Sequence, residues 1–206
     1  METLNLAKLW HSPRRVHGIE LCFDSLLLLL RWFSLSYWLR RSLPDPAGQN
    51  RSIRDNAVDA YCVIQFFVLL AVLLLGSALP VGIATITSSY ILFEVYLNLF
   101  NIVFIGKFAD INAPPASIER SLLLIILNAI EVVQVFAVLY RSCLHLETQE
   151  AFLKATLVLG TIGAPDTNTP VAVALVSFQV LLDFVLVVLF LAAFSGQLNM
   201  FKTNKP

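Results

Sequence analysis

The chain has 206 residues, of which 58% are hydrophobic and only 14% charged, with net charge zero. Its mean hydropathy of +0.78 is too high, and its charge content too low, for an ordinary water-soluble domain. Composition therefore predicts an integral membrane protein and argues against a nucleic-acid-binding one, which needs a strong excess of positive charge.

The amino-terminal 56 residues are basic despite the neutral total, holding Lys8, Arg14, Arg15, Arg31, Arg40, Arg41, Arg51 and Arg54. Within them, residues 21–39 form an apolar stretch. At 100° per residue, His17, Glu20, Asp24, Arg31 and Ser34 share one stripe, while Phe23, Leu26, Leu29, Leu30, Trp32 and Phe33 cover the rest. No small-residue cleavage site follows and Arg40 and Arg41 flank the stretch, so it is not a signal peptide. The pattern predicts an amphipathic helix lying in the cytoplasmic interface, with a spanning helix as the alternative.

Four later windows, 57–78, 81–105, 121–140 and 171–194, are long and apolar enough to cross roughly 30 Å of hydrocarbon as helices. The first two are separated by Leu79-Pro80-Val81-Gly82, read as a tight turn, and form a helical hairpin over 57–106. A linker at 107–120, with Pro114-Pro115, leads to the third. Residues 141–170 join the third to the fourth, and the remainder, 199–206, is a short tail where no ligand-binding domain is expected.

With the amino terminus cytoplasmic, the inner side gathers twelve Lys and Arg residues, among them Lys107, Arg120, Lys202 and Lys205, and the other side only Arg141 and Lys154. The positive-inside bias thus puts both termini in the cytoplasm of a multi-pass protein of the cell (inner) membrane. Cys22, Cys62 and Cys143 show no metal-type spacing, and only Cys143 would face an oxidising compartment. His11, His17 and His145 form no ligand cluster and no nucleophile–base spacing stands out, so neither an enzyme nor a resident cofactor is expected.

The connector at 141–170 carries the most specific signal. Thr148 is a candidate helix cap, Glu150 puts an acid in the first turn and Gly160 is a natural stop, which predicts a helix over 149–159. At about 1.5 Å per residue it would cover only about half the bilayer. Thr161-Ile162-Gly163-Ala164-Pro165-Asp166 follows directly.

That arrangement resembles the pore loop of potassium channels, whose filter signature is TVGYG followed by Asp. Thr161, Ile162, Gly163 and Asp166 match; Ala164 stands where the family has Tyr, and Pro165 where it has the second Gly. The resemblance covers 119–198 and leaves out the first hundred residues. It implies an outer helix, a re-entrant pore helix with its filter loop, and an inner helix, repeated in a homotetramer. It also implies that Thr161, Ile162 and Gly163 offer oxygens to potassium or another monovalent cation. Pro165 cannot take the positive φ of the family's second Gly, so the outer half of the filter must differ.

Glu94, Glu131 and Asp183 fall inside spans that contain no Lys or Arg. An intramembrane acid costs about 3 kcal/mol on insertion scales, so each must be protonated, wet or hydrogen-bonded. Glu94 with Thr87, Asn98 and Asn101, and Glu131 with Asn128 and Gln134, read as polar contacts between helices. Gln179 and Asp183 lie one turn apart on the helix that lines the cavity in the family. They are expected to line the cavity, where four copies would place a ring of carboxylates below the filter, with a buried, protonated helix contact as the alternative for Asp183. The leading expectation is a homotetrameric cation channel with altered or weak selectivity; the other is a non-conducting relative serving as a structural or regulatory membrane subunit.

Overall fold

The computed structural model describes residues 25–26, 29–30, 32–42, 51–100, 118–160 and 169–203, and the statements below concern these. All their regular structure is helical. We label the elements α1 (Leu35–Ser42), α2 (Arg51–Leu75), α3 (Val81–Phe100), α4 (Ile118–Leu144), α5 (Thr148–Leu159) and α6 (Pro170–Thr203), with a 3-10 turn at Gly76–Ala78. Four of them contain windows able to cross a membrane: Asn56–Leu75, Val81–Phe100, Leu123–Leu144 and Pro170–Ala192. The chain is thus a multi-pass, all-helical membrane protein, as its hydropathy predicts.

α4 is the centre of the bundle. Its side chains at 131–140 are all buried, and 67% of its spanning window is enclosed, against 28% for the windows of α2 and of α6. α2, α3, α5 and α6 all pack on it, whereas α2 and α3 touch each other little despite their short connection. The first two spans are therefore joined less by their own contact than by the third. Leu69, Leu73, Val95, Leu99, Val132, Phe136, Ala155 and Leu186 belong to one continuous apolar core that all five helices share.

The turns explain this placement. α2 ends at Leu75, three residues before the predicted limit, because Gly76 takes φ +21° and starts the 3-10 turn. Val81 and Gly82, expected in the turn, are already helical, and the carbonyl of Pro80 accepts the first bonds of α3, from Ile83 and Ala84. The Arg141 guanidinium lies where a Cβ on residue 76 would stand, and Arg141 Nη1 donates to the carbonyl of Leu73. A cation thus meets the negative end of the α2 dipole, and α4 is pinned to α2 at this end of the bundle. α4 itself stops at Leu144 because His145 adopts φ 56°, a left-handed residue that reverses the chain into α5.

The predicted amphipathic helix at 21–39 is interrupted. Trp32 and Phe33 form a turn, bonding back to the carbonyls of Leu29 and Leu30, and Ser34 is not helical. Ser34 Oγ accepts from the Tyr37 N–H at 3.3 Å, so the serine starts a new helix, α1, that runs on to Ser42.

Removal of the Arg141 cap should loosen this end of the bundle. Arg141→Met is expected to lose about 1 kcal/mol and Gly76→Ala somewhat more, because a methyl there meets the guanidinium. Thermal unfolding in detergent, followed by circular dichroism, reads both; unchanged midpoints would remove the pin from this account.

Candidate functional site

α5 is a half-length helix with a built-in position. Its 12 residues cover about 18 Å, too little to cross the hydrocarbon. Thr148, expected as the cap, is the first helical residue; Glu147 occupies the cap position and its side chain makes no capping bond. Glu150 and Lys154 pair at 2.8 Å along the solvent-accessible side. The adjoining face is small: Ala151, Ala155 and Val158 are buried, which lets the α5 backbone come close to α4.

The helix ends where the sequence predicts, at Gly160, whose N–H bonds to the carbonyl of Thr156. Gly160 stays in right-handed geometry (φ −73°, ψ 0°), so it acts by ending the helix without a left-handed turn. The last carbonyls of α5 carry the negative end of its dipole towards the segment that follows. That segment, with Thr161, Ile162, Gly163, Ala164, Pro165 and Asp166, lies outside the described residues. The described residues resume at Thr169, whose Oγ1 accepts from the Ala172 N–H at 3.2 Å and caps α6, with Pro170 in the first turn where its missing N–H is harmless.

Gln179 and Asp183 stand on the face of α6 that also carries Ala172, Val176, Leu186 and Leu189, all of them buried within the single chain. Gln179 is fully enclosed. Its Oε1 accepts from the Tyr140 hydroxyl of α4 at 2.6 Å, and its Nε2 donates to the carbonyl of Ala155 in α5 at 2.9 Å. Asp183 is 5% exposed and neither carboxylate oxygen has a hydrogen-bond partner. Beside it, the Tyr96 hydroxyl of α3 donates to the carbonyl of Leu182 at 2.8 Å. This is the geometry of the helix-contact alternative. Among the described side chains the exposed surface of α6 is apolar apart from Ser177, with Val173, Val180, Phe184, Val187 and Leu191.

A second polar cluster joins α3 to the amino-terminal segment. The Glu94 carboxylate is fully buried and accepts from the Leu35 N–H, from Ser34 Oγ at 3.0 Å and from the Tyr90 hydroxyl at 2.7 Å. Ser36 Oγ donates to Asn98 Oδ1 at 3.0 Å, and the two serine hydroxyls are 2.8 Å apart. A carboxylate thus closes the amino-terminal end of α1, satisfying a backbone donor that the helix leaves free and meeting the positive end of its dipole. Glu94 and Asn98 do connect elements, but their partner is α1 and not a neighbouring span; Asn101 lies outside the described residues.

Asn128, Glu131 and Gln134 line the buried side of α4. Asn128 Oδ1, both Glu131 oxygens and Gln134 Oε1 have no hydrogen-bond partner. Among the described residues no three His, Cys, Asp or Glu side chains are grouped to hold a metal ion.

Sequence reasoning placed Ser34 on a polar stripe and Arg141 among the outer cations but gave neither a contact, and it overlooked Tyr140, Tyr90, Tyr96 and Ser36, which complete these contacts. A signal was present. A tyrosine within an apolar span brings a hydroxyl that burial obliges to find an acceptor, and three such tyrosines are the donors here.

The Glu94 cluster makes a measurable prediction. Glu94→Leu should weaken the docking of α1 by about 2 kcal/mol, and Glu94→Gln, which keeps one acceptor, by less. Amide exchange at 35–42 in lipid nanodiscs should quicken with the exchange of α4 unaltered; equal protection in all three proteins would rule the cap out.

Comparison with protein-family models, with curated proteins and with solved structures finds no match to this chain.

Proposed function

We propose that this chain is a pore-loop cation channel subunit. It works as a homotetramer in the cell membrane with both termini cytoplasmic, and it passes potassium or another monovalent cation with altered selectivity. One observation carries the reading: α5 is a helix too short to span, held by α4 and α6, and it ends at Gly160 directly before Thr161-Ile162-Gly163. Its carboxyl-terminal dipole favours a cation at that point, and the carbonyls of Thr161, Ile162 and Gly163 are the oxygens that would replace the ion's water.

In this reading α5 enters the membrane and stops part-way, because its length covers only about half the bilayer. Non-helical backbone at that depth must be buried in protein or line an aqueous cavity, which is why the proposal includes more than one copy of the chain. Arg141 and Lys154 are the two cations on the α5 side, while the basic residues around α1 belong to the opposite, cytoplasmic side. In this arrangement α1, with Trp32, Phe33, Leu35 and Trp38 exposed, lies in the inner interface, where amphipathic aromatic rings are favoured.

A specific observation favours a second reading, a non-conducting structural or regulatory subunit. With Gln179 and Asp183 turned inside the chain, the surface that the described side chains of α6 could offer to a cavity is apolar but for Ser177, and Pro165 forbids the usual outer filter geometry.

Flux in reconstituted vesicles separates the two. The channel reading expects potassium uptake above protein-free vesicles, and an increase of the potassium-to-sodium ratio of about tenfold in the Ala164→Tyr, Pro165→Gly double variant, equivalent to about 1.4 kcal/mol between ions. No uptake in either protein, at any voltage or pH, would sink it in favour of the non-conducting subunit. Asp183→Asn adds a check on the path: lower conductance would put the carboxylate in reach of ions, and unchanged conductance leaves it a helix contact.

A further inference from the structure

The amide of Gln179 ties three helices together, and its two bonds run in directions that cannot be exchanged. Tyr140 brings a hydroxyl proton to Oε1 at 2.6 Å, while the Ala155 carbonyl can only accept, which it does from Nε2 at 2.9 Å. A reversed amide would set oxygen against oxygen at Ala155. The side chain is 0% exposed, so no water competes for either bond.

The α4–α5 contact shows why such a tie matters. α5 turns Ala151, Ala155 and Val158 to α4, a shallow surface that permits close approach but offers little resistance to sliding along the helix axis. A slip of a single residue would carry the end of α5 about 1.5 Å along that axis. Ala155 lies in the turn just before the end at Leu159, so a bond to its carbonyl fixes the part of α5 from which the next segment departs. The phenol that orients Gln179 is itself fully buried and packed against Phe136, which stands beside Phe178 of α6.

We propose that Gln179 is a positioning residue that sets the axial position of α5, and with it the point at Gly160 from which the chain continues to Thr161, so that Gln179 governs discrimination between cations without touching one. This rests on the pore-loop reading above, and it predicts a specific separation of effects. Gln179→Met keeps the length of the side chain and removes both bonds. Gln179→Glu keeps an acceptor for Tyr140 and loses the donor to Ala155. Tyr140→Phe leaves the Ala155 bond in place.

The full-length proteins in nanodiscs would be compared by amide exchange, and in vesicles by the ratio of potassium to sodium flux. In Gln179→Met, amides at 151–160 should exchange about tenfold faster while those at 125–139 keep their protection, and the flux ratio should shift about threefold or more. Gln179→Glu should follow Gln179→Met, and Tyr140→Phe should show a smaller change of the same kind. Unchanged exchange in α5, or an equal loss of protection throughout α4 and α6, would overturn the proposal, the second by reducing Gln179 to a general contributor to folding. An α5-confined change in exchange with no ion flux from the wild-type protein would support the positioning role and count against the channel reading alone.

Discussion

Polar groups enclosed in a bilayer have no solvent to turn to, so a partner within the protein is worth more there, although Asn128, Glu131, Gln134 and Asp183 keep buried oxygens without one. That constraint organises this molecule. The Glu94 carboxylate, the Gln179 amide, the Arg141 guanidinium and the hydroxyls of Tyr90, Tyr96 and Tyr140 each take a partner on a different helix from their own, apart from the added Tyr90–Glu94 bond within α3. In lipid, apolar side chains gain little by leaving one hydrocarbon environment for another, so such directed bonds and close packing of small residues determine which helices meet.

α4 is where these bonds converge. It receives α2 through Arg141 and α6 through Tyr140, and it provides the bed on which Ala151 and Ala155 bring α5 close. The consequence for function is that α5 is held from two sides, with its free end at Gly160. α1 is attached independently, through Glu94 and Asn98 on α3, and its position is therefore set by the half of the bundle remote from α5. The two polar clusters are chemically similar but act on different short helices: one holds a helix by its amino-terminal end, the other by a carbonyl near its carboxyl-terminal end.

Much of the architecture was legible in particular residues. The spans follow from runs of apolar residues, and the limits of α5 follow from Glu150 and Gly160, because length and a helix stop are local properties. The break at Ser34 was missed because the helical periodicity of 21–39 continues through it; only the Tyr37 N–H bonding to its hydroxyl marks a fresh start. The fate of Gln179 and Asp183 could not be read from their spacing. Residues one turn apart share a face, but periodicity does not say whether that face meets a sister helix or an open cavity. In the folded chain it meets α4 and α5.

The sequence by itself determined the class of solvent, the four spans found among the described residues and their limits to within a few residues, the half-length helix and the Thr-Ile-Gly run that follows it. These depend on hydropathy, rise per residue and local stop signals, which need no neighbour. Only the tertiary structure decided that α4 is the hub, that Glu94 closes the end of α1, and that Gln179 reaches across to Tyr140 and Ala155. Those are pairings between residues from 24 to 60 positions apart, and a hydrogen bond is selected by where two helices bring donor and acceptor together, which no single segment specifies.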